Sequence, residues 1–213
     1  MNIAVFGANG RVGSKVVEIA EQRGHTVFPI DKLLTTTNYS NAQVDVVIDF
    51  STADATADVC EFCKLRRCPL VSGVTGRNEE QLQQIEQLKT ELPVVCKANF
   101  SIGVDMLHRI CEVVAKELAD WDCEIVEIHR RGKLDAPSGT AKSLAATVAR
   151  QKSFKKVTVH SLRCGSNFGK HEVVFATNGE SLTLTHQAEN VEIFAKGAVI
   201  EAEQLIKQKT HSV

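Results

Sequence analysis

Residues 1–32 read MNIAVFGANGRVGSKVVEIAEQRGHTVFPIDK, and their pattern decides the fold. Ile3, Ala4, Val5 and Phe6 form a short apolar run of the kind buried in a parallel sheet. Gly7, Gly10 and Gly13 follow at once. Val12, Val16, Ile19 and Ala20 then recur at helical spacing, and Gly24 closes that helix. A second apolar run, 26–30, ends at Asp31. The glycine spacing is G-x-x-G-x-x-G rather than the commoner G-x-G-x-x-G. The physical requirement is the same: a tight turn whose backbone can approach a pyrophosphate at a helix N-terminus. Asp31 stands about twenty residues beyond the glycines, where a carboxylate accepts from adenosine ribose hydroxyls. The glycines alone are a weak signal. With a strand before, a helix after and an acid at the next strand end, they predict a dinucleotide site rather than a packing turn. Lys32 opposes Asp31, because an acid repels a 2′-phosphate and a lysine attracts it.

Strand and helix signals alternate beyond this start. Residues 44–50 (VDVVIDF) read as a strand, 53–65 as a helix and 69–72 as a strand leading into Gly73-Val74-Thr75-Gly76. Residues 78–88 read as a charged helix with Leu82, Ile85 and Leu88 inward. Residues 93–96 form another strand, which runs into Lys97-Ala98-Asn99-Phe100. Such alternation implies a parallel sheet with right-handed crossovers and ligands beyond the carboxyl ends of its strands. Those ends are Phe6/Gly7, Asp31, Phe50/Ser51, Gly73 to Thr75 and Asn99/Phe100.

The texture changes after residue 100. A helix over 101–118 is capped by Ser101, with Leu107, Ile110, Val114 and Leu118 on one face. Strands follow at 123–128 and 157–162, then a hairpin of 171–176 and 182–186 around Asn178-Gly179. An amphipathic helix spans 196–207. The expected class is α/β: a doubly wound, Rossmann-like parallel sheet domain plus a smaller α+β domain with an open mixed sheet. Residues 1–100 with 196–213 make the dinucleotide-binding domain, and residues 101–195 the substrate-binding and oligomerisation domain. The polar segment 35–41 reads as a surface loop.

The most chemically informative stretch is 127–141, EIHRRGKLDAPSGTA. His129, Arg130, Arg131 and Lys133 precede a Pro-Ser-Gly-Thr turn, and Ser138 or Thr140 caps the following helix, with Ala141, Leu144, Ala145 and Val148 on its apolar positions. A helix N-terminus surrounded by cations suits a small polyanion. A histidine and a lysine four apart add two groups able to move protons. His108, on the preceding helix, reads as a surface or satisfied core histidine.

Composition sets the outer limits. A net charge of −1 gives no case for nucleic acid or an acidic membrane surface, and 43% hydrophobic residues are enough for a proper core in 213 residues. No apolar stretch approaches transmembrane length, and residues 2–6 lead into glycines rather than a signal-peptide core, so a cytoplasmic protein is expected. Seven cysteines at irregular spacing suit a reducing compartment. Cys60 and Cys63 form a C-x-x-C with Cys68 nearby, but their helical spacing reads as buried thiols rather than a metal centre.

The motifs GANGRVG, VIDFST, VSGVTG, ANFSIGV and E-x-H-x-x-x-K-x-DAPSGTA, with RCG, THQA and FAKGA further on, resemble the dihydrodipicolinate reductases of bacterial lysine biosynthesis. The likeness runs in order over almost the whole chain, and the string from His129 to Ala141 is its most specific part. It implies reduction of the dipicolinate substrate (4-hydroxy-tetrahydrodipicolinate) by hydride transfer from NADH or NADPH, without a metal, in a homotetramer. The cofactor would lie on Gly7, Ala8, Asn9, Gly10, Arg11, Val12 and Gly13, with Asp31 and Lys32 at the ribose. Phe50, Gly73, Val74, Thr75, Lys97, Ala98, Asn99 and Phe100 would complete the cofactor contacts. His129 would be the acid/base residue and Lys133 the proton donor. Arg130, Gly139 and Thr140 would grip the dicarboxylate. Arg130 replaces the second of two adjacent histidines usual in the family, and Asn190-Val191 a polar-arginine pair. Three other readings stay open at this point: another two-domain NAD(P)-dependent amino-acid dehydrogenase, a non-catalytic dinucleotide-binding sensor, and a thiol or zinc module on Cys60, Cys63, Cys68 and Cys96.

Overall fold

The computed structural model describes residues 1–31, 43–151, 154 and 156–210. Lys32 and the 35–41 loop lie outside them. The chain forms two compact units, Met1–Phe100 with Val191–Val213, and Ser101–Asn190.

The first unit is built on five parallel strands: β1 (Asn2–Phe6), β2 (Thr26–Ile30), β3 (Val46–Asp49), β4 (Leu70–Ser72) and β5 (Val94–Cys96), in the order β2-β1-β3-β4-β5. Alternate residues of β1 serve opposite faces, as a strand requires. Ile3 and Val5 pack with α1 (Gly13–Gln22) and α6 (Glu192–Thr210) through Val16, Ala20, Ala195, Ala198, Val199 and Ala202. Ala4 and Phe6 face α2 (Thr56–Arg66) and α3 (Glu79–Glu91) through Val59, Phe62, Ile85 and Leu88. The sheet is thus covered on both faces, which explains its nearly continuous apolar runs. The topological switch lies between β1 and β3, so a crevice opens beyond their carboxyl ends.

The second unit has four strands, β6 (Asp122–His129), β7 (Thr158–Arg163), β8 (Gly169–Thr177) and β9 (Glu180–Ala188), in the order β7-β6-β8-β9. The β6–β7 pair is parallel; the others are antiparallel, with the hairpin turning at Asn178-Gly179. Helices α4 (Ile102–Glu117) and α5 (Gly139–Ala149) pack on one face through Leu107, Cys111, Ala115, Ala141, Leu144 and Val148.

Four readings of the sequence need correction. Leu82 is 51% exposed: it lies in the first turn of α3, which Asn78 and Gln81 start with a capping box, and the helix buries Ile85 and Leu88 instead. Ile110 is exposed; the buried stripe of α4 runs Val104, Leu107, Cys111, Ala115. Helix α6 begins at Glu192, not 196. Residues 53–65 begin as a 3₁₀ turn, Ala53–Ala55, before α2.

Gly197 sets how closely α6 docks. A Cβ there would stand 1.7 Å from the Phe100 carbonyl oxygen. An alanine in a helix interior ordinarily gains about 1 kcal/mol over glycine. Gly197→Ala is expected to reverse that sign and lose about 2 kcal/mol or more in urea unfolding, since backbone must move to admit the methyl. A neutral or stabilised variant would show that this contact does not fix the helix.

Candidate functional site

In the first unit the strand ends converge as the glycine pattern requires. Gly7 turns with φ of 73°, and a Cβ on it would lie 2.6 Å from the Phe50 carbonyl oxygen. A Cβ on Gly13 would lie 2.0 Å from the Gly7 carbonyl oxygen, so that glycine permits close packing of helix on turn. Gly10 is exposed and lines a cavity of about 590 Å³ together with Gly7, Asp31, Phe50, Ser51 and Thr52. Among the described residues no side chain caps the N-terminus of α1, which leaves its positive end for a ligand anion. A bare backbone at Gly10, an uncapped helix start and a carboxylate at Asp31 together fit a dinucleotide's pyrophosphate and ribose.

Under this crevice lies a polar cluster. Asp49, at the end of β3, is fully buried. It accepts from Ser72 Oγ at 2.8 Å, from the Ser51 backbone N–H at 3.0 Å and from Arg77 Nη2 at 3.2 Å. Arg77, itself buried, also donates to the Val74 carbonyl and to Thr56. The guanidinium therefore ties the Gly73–Thr75 loop to two strand ends. Gly73 lets the Phe50 ring lie against the loop, since a Cβ would meet that ring at 2.3 Å, and Phe50 stands edge-on to Phe100. Lys97 pairs with Glu201 at 2.7 Å and lies over the Phe100 ring.

In the second unit, alternation along β6 decides the site. Cys123, Ile125, Glu127 and His129 all point inward. The first two join the apolar core; the last two meet Ser161 and Arg163 of β7 and His171 of β8 on the same face. Glu127 is fully buried. Arg163 grips it through both terminal nitrogens, at 2.7 and 2.9 Å. The Ser138 backbone N–H donates to its other side at 3.2 Å, and its Oε2 bonds His129 Nδ1. Burial works against ionisation, yet Arg163, Ser161 and His129 hold the Glu127 carboxyl down at about 2. Burial lowers the pKa of His129, and Glu127 offsets this only in part. His171 is pushed down to about 4 by burial and by His129 beside it, at 5.2 Å between ring centres.

Ser138 is the cap of α5, accepting from the Ala141 N–H at 3.2 Å, so Gly139 and Thr140 are the helix's first residues. Lys133 donates to Asp135 at 2.7 Å. Arg163 also bonds the Asp135 carbonyl, so the 133–135 segment and the start of α5 hang on the same ion pair. Arg130 and Arg131 are exposed, their backbones bonded to Asn167 and Gly165. His108 bonds Thr147 within the α4–α5 packing.

Sequence reasoning assigned no role to Glu127, Arg163, His171, Asp49 or Arg77. One signal was available: an acid at an inward position of an alternating strand must find a cation. Which cation is a matter of long-range pairing. Cys60, Cys63 and Cys68 are buried in the first unit, and burial raises the Cys60 thiol, which is unsuited to metal or redox work. Among the described residues no group of three or more His, Cys, Asp or Glu side chains could hold a metal ion.

Residues 1–100 match the family model for the dihydrodipicolinate reductase N-terminus, and residues 103–213 that for its C-terminus. The chain is 36% identical over 211 residues to a 4-hydroxy-tetrahydrodipicolinate reductase of Thermosipho africanus, covering 99% of this chain and 94% of that protein. It is 36% identical over 221 residues to one from Stenotrophomonas maltophilia, covering 96% and 92%. Among solved structures, a dipicolinate-bound dihydrodipicolinate reductase from Paenisporosarcina sp. TG-14 has the same fold, with a TM-score of 0.80 at 23% identity over 97% of this chain and 95% of that one.

The Glu127–Arg163 pair generates a pH test. Because the folded-state pKa of Glu127 is depressed, its stabilisation is complete above the unfolded value near 4.5 and is lost as pH falls from there through about 2. Arg163→Met strands a buried carboxylate, which costs about 3–5 kcal/mol, and raises its pKa, so the sign inverts: stability is then lost as pH rises. Urea unfolding should show a larger deficit against wild type at pH 7 than at pH 5. An equal deficit at both would contradict the assignment.

Proposed function

The chain belongs to the dihydrodipicolinate reductase family, and we propose that Glu127 to Thr140 carry the substrate chemistry of that family here, with the glycine turn holding its cofactor. The activity is NAD(P)H-dependent reduction of 4-hydroxy-tetrahydrodipicolinate in lysine biosynthesis. One observation carries the residue-level reading: His129, the Lys133–Asp135 segment and the start of α5 are organised by one buried carboxylate.

When bound, a reduced nicotinamide would supply a hydride from its C4 to the substrate ring, and the substrate's 4-hydroxyl would leave as water, so that one hydride and one proton balance the reduction. Gly10 and the α1 N-terminus would hold the pyrophosphate and Asp31 the ribose, and the Gly73–Thr75 loop with Phe50 and Phe100 would flank the nicotinamide half. Gly139 and Thr140 receive one substrate carboxylate at the start of α5, and Arg130, with its bidentate guanidinium, the other. Lys133 returns a proton to the reduced substrate, whereas burial holds the pKa of His129 below its ordinary value. His129 then serves through Nε2 as the acid/base partner. In sequence Lys32 follows Asp31, and a lysine attracts the 2′-phosphate that an aspartate repels, so discrimination between NADH and NADPH is weak.

The two units divide this work, the first taking the cofactor and the second the substrate and assembly. Val126, Ile128 and Leu162 lie on the sheet face opposite the helices, and the β7 and β9 edges are open. Pairing these sheets between copies would cover them, and the protein works as a homotetramer in the cytoplasm. Light scattering that gives monomer alone at micromolar concentration overturns the assembly. No described helix is long and apolar enough to cross a membrane.

Coupled turnover with the preceding synthase, aspartate semialdehyde and pyruvate tests these roles. Lys133→Ala should lower kcat by roughly two to four powers of ten with dinucleotide binding unchanged. Arg130→Ala should mainly raise KM for the dicarboxylate. Near-full turnover by the lysine variant would remove Lys133 as donor, and an unchanged KM would leave Arg130 a bystander.

A further inference from the structure

The buried Glu127–Arg163 pair takes no direct part in the chemistry above, yet it touches every element that does in the second unit. We propose that Glu127 is the positioning residue of this active site: its carboxylate fixes the proton of His129 on Nδ1, leaving Nε2 toward Gly169 as the exchanging nitrogen, and registers the Lys133 segment and the start of α5 against it. The proposal rests on the reading of His129 as the acid/base group.

Glu127 and His129 are two residues apart on one strand, so both side chains project from the same face. Oε2 of Glu127 faces His129 Nδ1 and also receives Arg163 Nη1 at 2.9 Å. An ionised carboxylate only accepts, so the hydrogen between it and the ring belongs to Nδ1. The opposite nitrogen has space because position 169 is glycine: a Cβ there would stand 2.9 Å from Nε2. Gly169 has φ of 152°, a conformation that side chains rarely adopt. Oε1 receives Arg163 Nη2 at 2.7 Å and the Ser138 N–H at 3.2 Å. The second of these bonds fixes where α5 begins, and Arg163 reaches on to the Asp135 carbonyl. One carboxylate thus sets a tautomer, a helix start and a loop.

The charged and titratable groups facing His129 are Glu127 on its own strand, Arg163 on β7, His171 on β8 and Lys133 on the loop after β6. Only Glu127 favours the imidazolium. Removing its charge must therefore lower the pKa of His129, while an amide at that place turns a donor toward Nδ1 and drives the proton to Nε2.

The test is steady-state kinetics of Glu127→Gln, Glu127→Asp and His129→Gln from pH 5 to 9, with dinucleotide affinity measured separately. Glu127→Gln should lose about two to four powers of ten in kcat, keep its dinucleotide affinity and show the His129 limb of its pH profile displaced to lower pH. Glu127→Asp retains the charge but withdraws it by a methylene. It should keep the limb where wild type has it and lose kcat, and it is read even if the glutamine variant does not fold. Wild-type kcat in Glu127→Asp, or an undisplaced limb in Glu127→Gln, overturns the proposal. Full activity in His129→Gln overturns the underlying reading of His129 instead.

Discussion

A carboxylate sealed inside a protein costs several kcal/mol unless each of its lone pairs is met. Glu127 is such a group, and the polar end of the second unit is arranged to meet it. Arg163 comes from β7, the Ser138 N–H from the start of α5 and His129 from the same strand. A shift of any of these elements takes a hydrogen bond from the buried carboxylate. The inner face of the sheet changes character along its length for this reason. Cys123, Ile125, Val173 and Phe175 make an apolar floor under α4 and α5, and two residues further along β6 the floor becomes ionic. The placement of His129 and of the 133–135 segment follows from an electrostatic demand.

The first unit uses the same device on a different strand. Asp49 closes β3 with no exposure and is satisfied by Ser51, Ser72 and Arg77. Arg77 arrives from the loop after β4, so the ion pair joins two neighbouring strand ends and holds the Gly73–Thr75 segment between them. Above it the glycines serve steric ends. Gly7 and Gly13 admit backbone where a methyl would collide, and Gly10 keeps the crevice open. In each unit a buried acid supplies rigidity, and small residues supply access.

The sequence announced the fold well because its signals are local. Apolar runs ending in glycine or an acid mark parallel strands, and Ser101 and Ser138 both cap the helices expected of them. Local phase was harder to read. Leu82 and Ile110 fit a helical period yet face solvent, because the period gives the spacing of a buried stripe but not which side of the helix docks: α3 buries Ile85 and Leu88, and α4 Val104, Leu107, Cys111 and Ala115. Helix α6 starts at Glu192, four residues before the 196–207 stretch, and Ala195 in its first turn is in phase with the buried Ala198, Val199 and Ala202. At the site, the 127–141 string exposed His129, Lys133 and the helix start, since these lie within fifteen consecutive residues. Arg163 is 36 residues from Glu127 and reaches it only through β6–β7 pairing, which spacing does not encode. Asp49 and Arg77, 28 residues apart, escaped for the same reason.

The central claim is that one buried carboxylate dictates the state of His129. Nitrogen-15 NMR of histidine-labelled protein at neutral pH reads that state directly, because protonated and bare ring nitrogens differ widely in shift. The account predicts a neutral His129 with hydrogen on Nδ1 and none on Nε2, titrating below the ordinary imidazole value of about 6.5. A hydrogen on Nε2, or a titration at or above that value, would contradict it.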